Sequence, residues 1–164
     1  MLHVPPVISQ TQARLPDGSP DPAGPTDCGE ACVASVMAHH TGLTFAPGAI
    51  RQALGLPPTD GSTTPVDLAR VLGAFGCDPS SIPCPNEVSI TSWGDYTGPG
   101  RAVLWLNHLY GPDQAHWVLA FSVTHAGPIA MDPLQEQYRQ LTWEQIRSLT
   151  AGFGILVKAS QYRG

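Results

Sequence analysis

The apolar residues of this chain change period once, and that change limits the folds open to it. In the first half they recur at helical spacing, whereas after about residue 100 they fall into short runs rich in β-branched and aromatic residues. The first helix is expected from Cys28, in the segment CGEACVASVMAHHTG, with Ala31, Ala34, Val36 and Ala38 suited to packing and Gly42 to the C′ position. Asp27 reads as its N-cap and Glu30, three residues on, completes a pair resembling a capping box, so Cys28 takes the first helical position. Two more helices follow, Pro47 to Leu54 stopped by Gly55, and Pro65 to Phe75 between Thr64 as cap and Gly76 as stop. Strands are expected at 102–107, 116–124, 128–132 and 153–158, with a capped helix, WEQIRSL, framed by Thr142 and Gln145. Helices first and an antiparallel sheet second is an α+β arrangement.

At 164 residues and 42% hydrophobic content the chain has the size and core of one domain, residues 1–164. A net charge of −5 with only 8 Lys and Arg offers no basic stripe for a phosphate backbone, which argues against nucleic acid and against an anionic membrane surface. There is no apolar run of the ~18 residues a spanning helix needs, so membrane insertion is not expected. The opening MLHVPPVISQTQARLPDGSPDPAG lacks the basic flank and apolar stretch of a Sec signal, which points to the cytoplasm or to export by another route. The four cysteines, Cys28, Cys32, Cys77 and Cys84, have no histidines at zinc-finger spacing, so free thiols are the simpler reading and no metal or cofactor is implied. The sequence is silent on oligomeric state.

The helix start carries the chemistry. A thiol attacks as thiolate, and its pKa falls at a helix N-terminus or beside an imidazolium. Cys28 has the first by position. His116 opens one apolar strand and Asp132 closes the next. A hairpin turning near Ala126 and Gly127 brings their ends together, giving the nucleophile, base and orienter of acyl transfer.

In three places the residues resemble the papain-like cysteine peptidases that remove double-glycine leaders from bacteriocins, and their stand-alone relatives. Asp-Cys-Gly-x-Ala at 27–31 is similar to their nucleophile motif, His-Trp-Val at 116–118 to their histidine strand, and Asp-Pro at 132–133 to their orienting aspartate. The tail LTWEQIRSLTAGFGILVK is also similar, so the resemblance runs from Val4 to Lys158. It implies a papain-like fold, a peptide or protein substrate, and a triad of Cys28, His116 and Asp132. One departure stands out: the family's oxyanion-hole glutamine sits six residues before the cysteine, where this chain has Pro22. The opening VPPVISQ resembles the segment that carries that glutamine in relatives with a longer intervening loop. Gln10 is the residue so implied, with Gln12 in reserve.

Blander readings compete. Cys32 lies one turn after Cys28 and is the rival nucleophile, although a buried structural thiol is its ordinary role. Cys77 and Cys84 flank DPSSIP and could close a small loop, but structural thiols are simpler. His39 and His40 are helix neighbours pointing about 100° apart, unsuited to a metal and suited to the helix C-terminus. His108 and His125 end strands without an aspartate in register, and Asp132 alone could be a turn residue before Pro133. The same triad serves a cell-wall peptide endopeptidase, a transglutaminase-like enzyme or a deamidase, and a degenerate peptide-binding domain is the reading from another class.

Overall fold

The computed structural model describes residues 4–11, 17, 19, 27–55, 64–83 and 90–159. Its central element is α1 (Cys28–Thr41), in which every residue from Gly29 to Ala38 is buried. A helix with so little polar surface needs neighbours on all sides. They are α2 (Pro47–Ala53), α3 (Pro65–Ala74) and the strand β3 (His116–Thr124). Gly42 ends α1 at φ 76°, returning its N–H to the Ala38 carbonyl, a left-handed cap that only glycine adopts cheaply. Thr64 and Asp67 form a complete capping box on α3, and Thr142 and Gln145 do the same for α5 (Trp143–Leu149).

The sheet has six antiparallel strands in the order β1-β6-β2-β3-β4-β5. Their ranges are β1 (Cys77–Pro83), β2 (Arg101–Asn107), β4 (Gly127–Asp132), β5 (Gln137–Gln140) and β6 (Thr150–Ala159), with β3 as above. Alternation along the strands makes two cores. Ala102, Leu104, Trp117, Leu119, Ile155 and Val157 face α1 and α3. Val103, Trp105, Val118, Ala120 and Leu156 face the other way, onto Trp93 of α4 (Ile90–Tyr96) and Ile146 of α5. Leu104 and Leu119 are wholly buried, and burial of such a side chain contributes about 1.5–3 kcal/mol.

This is the α+β order expected from the sequence, with helix and strand ends displaced by at most three residues. Three elements were not anticipated. The segment CDPSSIP is β1 rather than a loop. Its two prolines are tolerated because β1 is an edge strand paired only with β6. The polar QYRQ forms β5 at the opposite edge, and α4 falls in a stretch for which no element was expected. Among the described residues no helix is long and apolar enough to cross a membrane.

Candidate active site

Cys28 begins α1, and the chain enters the helix with the Asp27 carbonyl accepting from the Ala31 N–H at 2.9 Å. The expected capping box is absent: the Asp27 side chain makes no cap hydrogen bond. Its Oδ1 instead accepts from Arg51 Nε of α2 at 3.0 Å, while Arg51 Nη2 stands 3.9 Å from Glu30 Oε2. All three side chains are buried. A guanidinium enclosed with two carboxylates outcompetes a backbone amide for them, because a charge-assisted pair is the stronger bond where water is excluded.

Burial pushes the Cys28 thiol up to about 11, with the Glu30 charge adding to the rise, against the lowering influence of the backbone at Trp117, Gly29 and Cys28 itself. The lowered pKa expected from helix position alone is therefore not what the site provides at rest. Cys32 is completely buried, and burial together with the charges of Cys28, Asp132 and Glu30 holds its thiol far above the ordinary range.

His116 Nε2 and Asp132 Oδ1 are 2.9 Å apart, with both residues buried. They are not directly opposed in the hairpin. The register pairs Leu119 with Met131, and an extra residue, Phe121, bulges between Ala120 and Ser122, so Asp132 meets His116 diagonally. Asp132 Oδ1 also accepts the Leu134 N–H at 3.0 Å, and Oδ2 accepts Tyr110 Oη–H at 2.6 Å and Arg139 Nη1–H at 3.0 Å. Burial would raise this carboxyl, but the bonds from His116, Tyr110 and Arg139 and the charge of His116 hold it well below the usual carboxylate range. The Tyr110 ring meets the His116 ring edge-on with centroids 4.8 Å apart. Tyr110 and Arg139 were not anticipated. Each lies in a short polar stretch without periodicity, and only the fold brings the two to one carboxylate.

Gln10 is buried, and its backbone N–H donates to the Pro133 carbonyl at 3.0 Å, beside Asp132. The segment around it is fastened at several points: Ser35 Oγ donates to the Pro6 carbonyl, Tyr138 Oη to that of Pro5, and Ser9 and Thr11 hydroxyls to Glu136. Gln12, Pro22 and Cys84 lie outside the described residues. The His108 ring stands 3.4 Å from the Gln114 carbonyl, and His125 is exposed in the β3–β4 turn. His40 is buried rather than solvated at the helix end. Burial, with His39 nearby, pushes it down to about 4, so it is uncharged at neutral pH. Among the described residues no group of three or more His, Cys, Asp or Glu could hold a metal.

No family model matches the chain, and no curated protein matches its sequence. Its fold is nevertheless similar to solved structures. The peptidase domain of Streptococcus ComA, a bi-functional ABC transporter involved in a quorum-sensing pathway, superimposes with a TM-score of 0.67 at 20% identity, covering 83% of this chain and 93% of that one. A double-glycine-motif protease from an AMS/PCAT transporter, solved with its leader peptide, gives a TM-score of 0.60 at 13% identity, covering 95% of this chain and 98% of that one. The N-terminal peptidase C39-like domain of a toxin-secretion ATP-binding protein from Vibrio parahaemolyticus gives a TM-score of 0.51 at 18% identity, covering 79% of this chain and 96% of that one. At these identities the likeness establishes the fold, which is the papain-like one expected from the sequence.

Proposed function

We propose that this chain is a cysteine peptidase acting through a thioester, with Cys28 as nucleophile, His116 as base and then acid, Asp132 as orienter and Gln10 as an oxyanion donor. One observation carries the reading. Cys28 starts a buried helix that packs on β3, with the neighbouring Gly29 against Trp117, the residue next to a histidine fixed by a buried aspartate. With Nε2 committed to Asp132, Nδ1 of His116 is the nitrogen left to take the thiol proton. Sulfur then adds to the scissile carbonyl carbon, and the negative oxygen is stabilised by the Cys28 backbone N–H and the Gln10 amide. Collapse breaks the C–N bond, the amine leaves with the proton from His116, and water, deprotonated by the same imidazole, hydrolyses the thioester.

The substrate in this reading is a peptide, and leader peptides ending in two glycines are the first class to test, since a protease of this fold has been solved with one. Cleavage of such a peptide should be lost in Cys28→Ala and in His116→Ala, each still folded by circular dichroism, and largely kept in Cys32→Ala. Loss in Cys32→Ala with retention in Cys28→Ala would overturn the assignment.

A further inference from the structure

Asp132 is held at both carboxylate oxygens. Oδ1 accepts from His116 Nε2 at 2.9 Å and from the Leu134 N–H at 3.0 Å, while Oδ2 accepts from the Tyr110 hydroxyl at 2.6 Å and from Arg139 Nη1 at 3.0 Å. A carboxylate offers about four acceptor directions, and with two donors on each oxygen its rotation is fixed. Tyr110 also touches the other member of the pair: its ring meets the His116 ring edge-on, at 87° with centroids 4.8 Å apart. The loop between β2 and β3 is bonded on either side of this residue. It leaves β2 at Asn107, which pairs with His116 across the two strands. The Asn107 side chain accepts the Leu109 N–H at 3.0 Å, the His108 N–H donates to the Leu149 carbonyl at 2.8 Å, and the Gly111 N–H to the His108 carbonyl at 3.1 Å. Gly111 has φ 130°, a conformation open to glycine and strained for other residues, and it turns the chain directly after Tyr110.

We propose that Tyr110 is a positioning residue for the base: its hydroxyl on Asp132 and its ring against His116 fix carboxylate and imidazole as one unit, so that Nε2 stays on Asp132 and Nδ1 remains the nitrogen that takes the proton. The proposal rests on His116 being the base of the peptidase reading. A phenol suits the task. Its bond to an ionised acceptor is charge-assisted, and burial with the neighbouring carboxylate pushes the hydroxyl's pKa up, so the proton it donates is kept. Arg139 reaches the same oxygen from the edge strand β5, with a side chain 21% exposed, and stands 3.4 Å from the Tyr110 hydroxyl. Its bond remains when that hydroxyl is removed, which limits the loss to that of one donor.

Three variants of the whole chain separate this role from simple support of the fold. Tyr110→Phe keeps the ring against His116 and removes the hydroxyl alone. Asp132→Asn removes the ionised acceptor, and Tyr110→Phe/Asp132→Asn combines the two, closing a double-mutant cycle. Two readouts are taken, with folding checked by circular dichroism. One is kcat and KM for cleavage of a double-glycine leader peptide. The other needs no turnover: the exchange of the His116 Nε2 proton with water, followed by nitrogen-edited NMR beside the backbone amides of β2 and β3.

Tyr110→Phe should lower kcat roughly tenfold, the scale of one lost bond to a charged group, with KM within about threefold of native. In the Asp132→Asn background the same substitution should lower kcat no further, because the hydroxyl acts through the carboxylate. The Nε2 proton should exchange roughly tenfold faster in Tyr110→Phe while the amides of β2 and β3 keep their native rates, since the opening is local to the pair. Unchanged exchange of that proton would overturn the proposal, as would an equal loss of kcat in both backgrounds. A rise in KM alone would place Tyr110 against the substrate instead, and failure of Tyr110→Phe to fold would make the hydroxyl a support of the core; either result also overturns it. A native chain that cleaves no peptide would sink the peptidase reading, and the proton exchange would still decide whether Tyr110 fixes the pair.

Discussion

Replacing Gly29 by alanine sets helix propensity against the geometry of the site. Alanine in a helix interior is favoured over glycine by about 0.8–1.0 kcal/mol, so on propensity alone the substitution stabilises. The structure points the other way. A Cβ at position 29 would stand 3.0 Å from Leu68 Cδ1 and 3.2 Å from both Leu68 Cδ2 and Trp117 Cδ1. Non-bonded carbons prefer about 3.5–4.0 Å, so both side chains must retreat by a few tenths of an ångström. Leu68 is completely buried and Trp117 nearly so; forcing a methyl into such a site typically costs about 1–3 kcal/mol, which offsets the propensity gain or exceeds it. The strain also falls on the strand whose first residue is His116. A displacement of about 1 Å can cost a hundredfold in rate, so a few tenths here should lower kcat/KM by roughly tenfold. Thermal unfolding and steady-state cleavage of a leader peptide, measured on the same preparation, give both quantities. A raised Tm with an undiminished kcat/KM would refute the reasoning.

Asp132→Asn should cost stability as well as rate. An amide that keeps its oxygen toward His116 and Leu134 turns its NH2 toward the donors Tyr110 and Arg139, so chemical denaturation should show a loss of about 1–3 kcal/mol, and unchanged stability would count against this bonding scheme. Gln10→Ala should lower kcat by roughly 10²–10³ with little change in KM if the amide serves the oxyanion, as for other single donors; a rise in KM alone would assign Gln10 to substrate binding. His40 should make the fold acid-sensitive. Neither of its ring nitrogens has a hydrogen-bond partner among the described residues, and its folded pKa, about 4, lies below the ordinary 6.5. The unfolded chain therefore binds the proton more readily, and stability should fall as pH drops from about 6.5 to about 4, by at most about 3 kcal/mol. Denaturation curves of His40→Leu across that range should lack this component, and parallel losses in both proteins would rule it out.

The parts of the fold legible in the sequence are those whose signals are local. The capping boxes at Thr64 and Thr142 lie within four residues, and the apolar runs of β2, β3 and β6 need only their own alternation to be read. The elements not anticipated depend on partners far along the chain: β1 with its prolines becomes a strand only because β6 supplies an edge, and β5 only because β4 does. The site divides in the same way. Cys28, His116 and Asp132 each stand at an element boundary that can be read from sequence. Tyr110 and Arg139 reach Asp132 from a loop and an edge strand, and Arg51 reaches Asp27 across 24 residues, distances at which no local pattern survives. The expected capping box at Asp27 and Glu30 failed for this reason, since a partner outside the segment took the carboxylate.

Burial bears on how the proposed reaction begins. With its thiol pushed up to about 11 by burial, Cys28 is protonated at neutral pH. The raised thiol disfavours a standing thiolate at rest. In the proposed reaction the proton accordingly leaves sulfur as the bond to the carbonyl carbon forms, with His116 acting as a general base in the step itself. The helix N–H groups then contribute most after attack begins, when negative charge has passed to the carbonyl oxygen, which is the moment at which stabilisation accelerates the reaction.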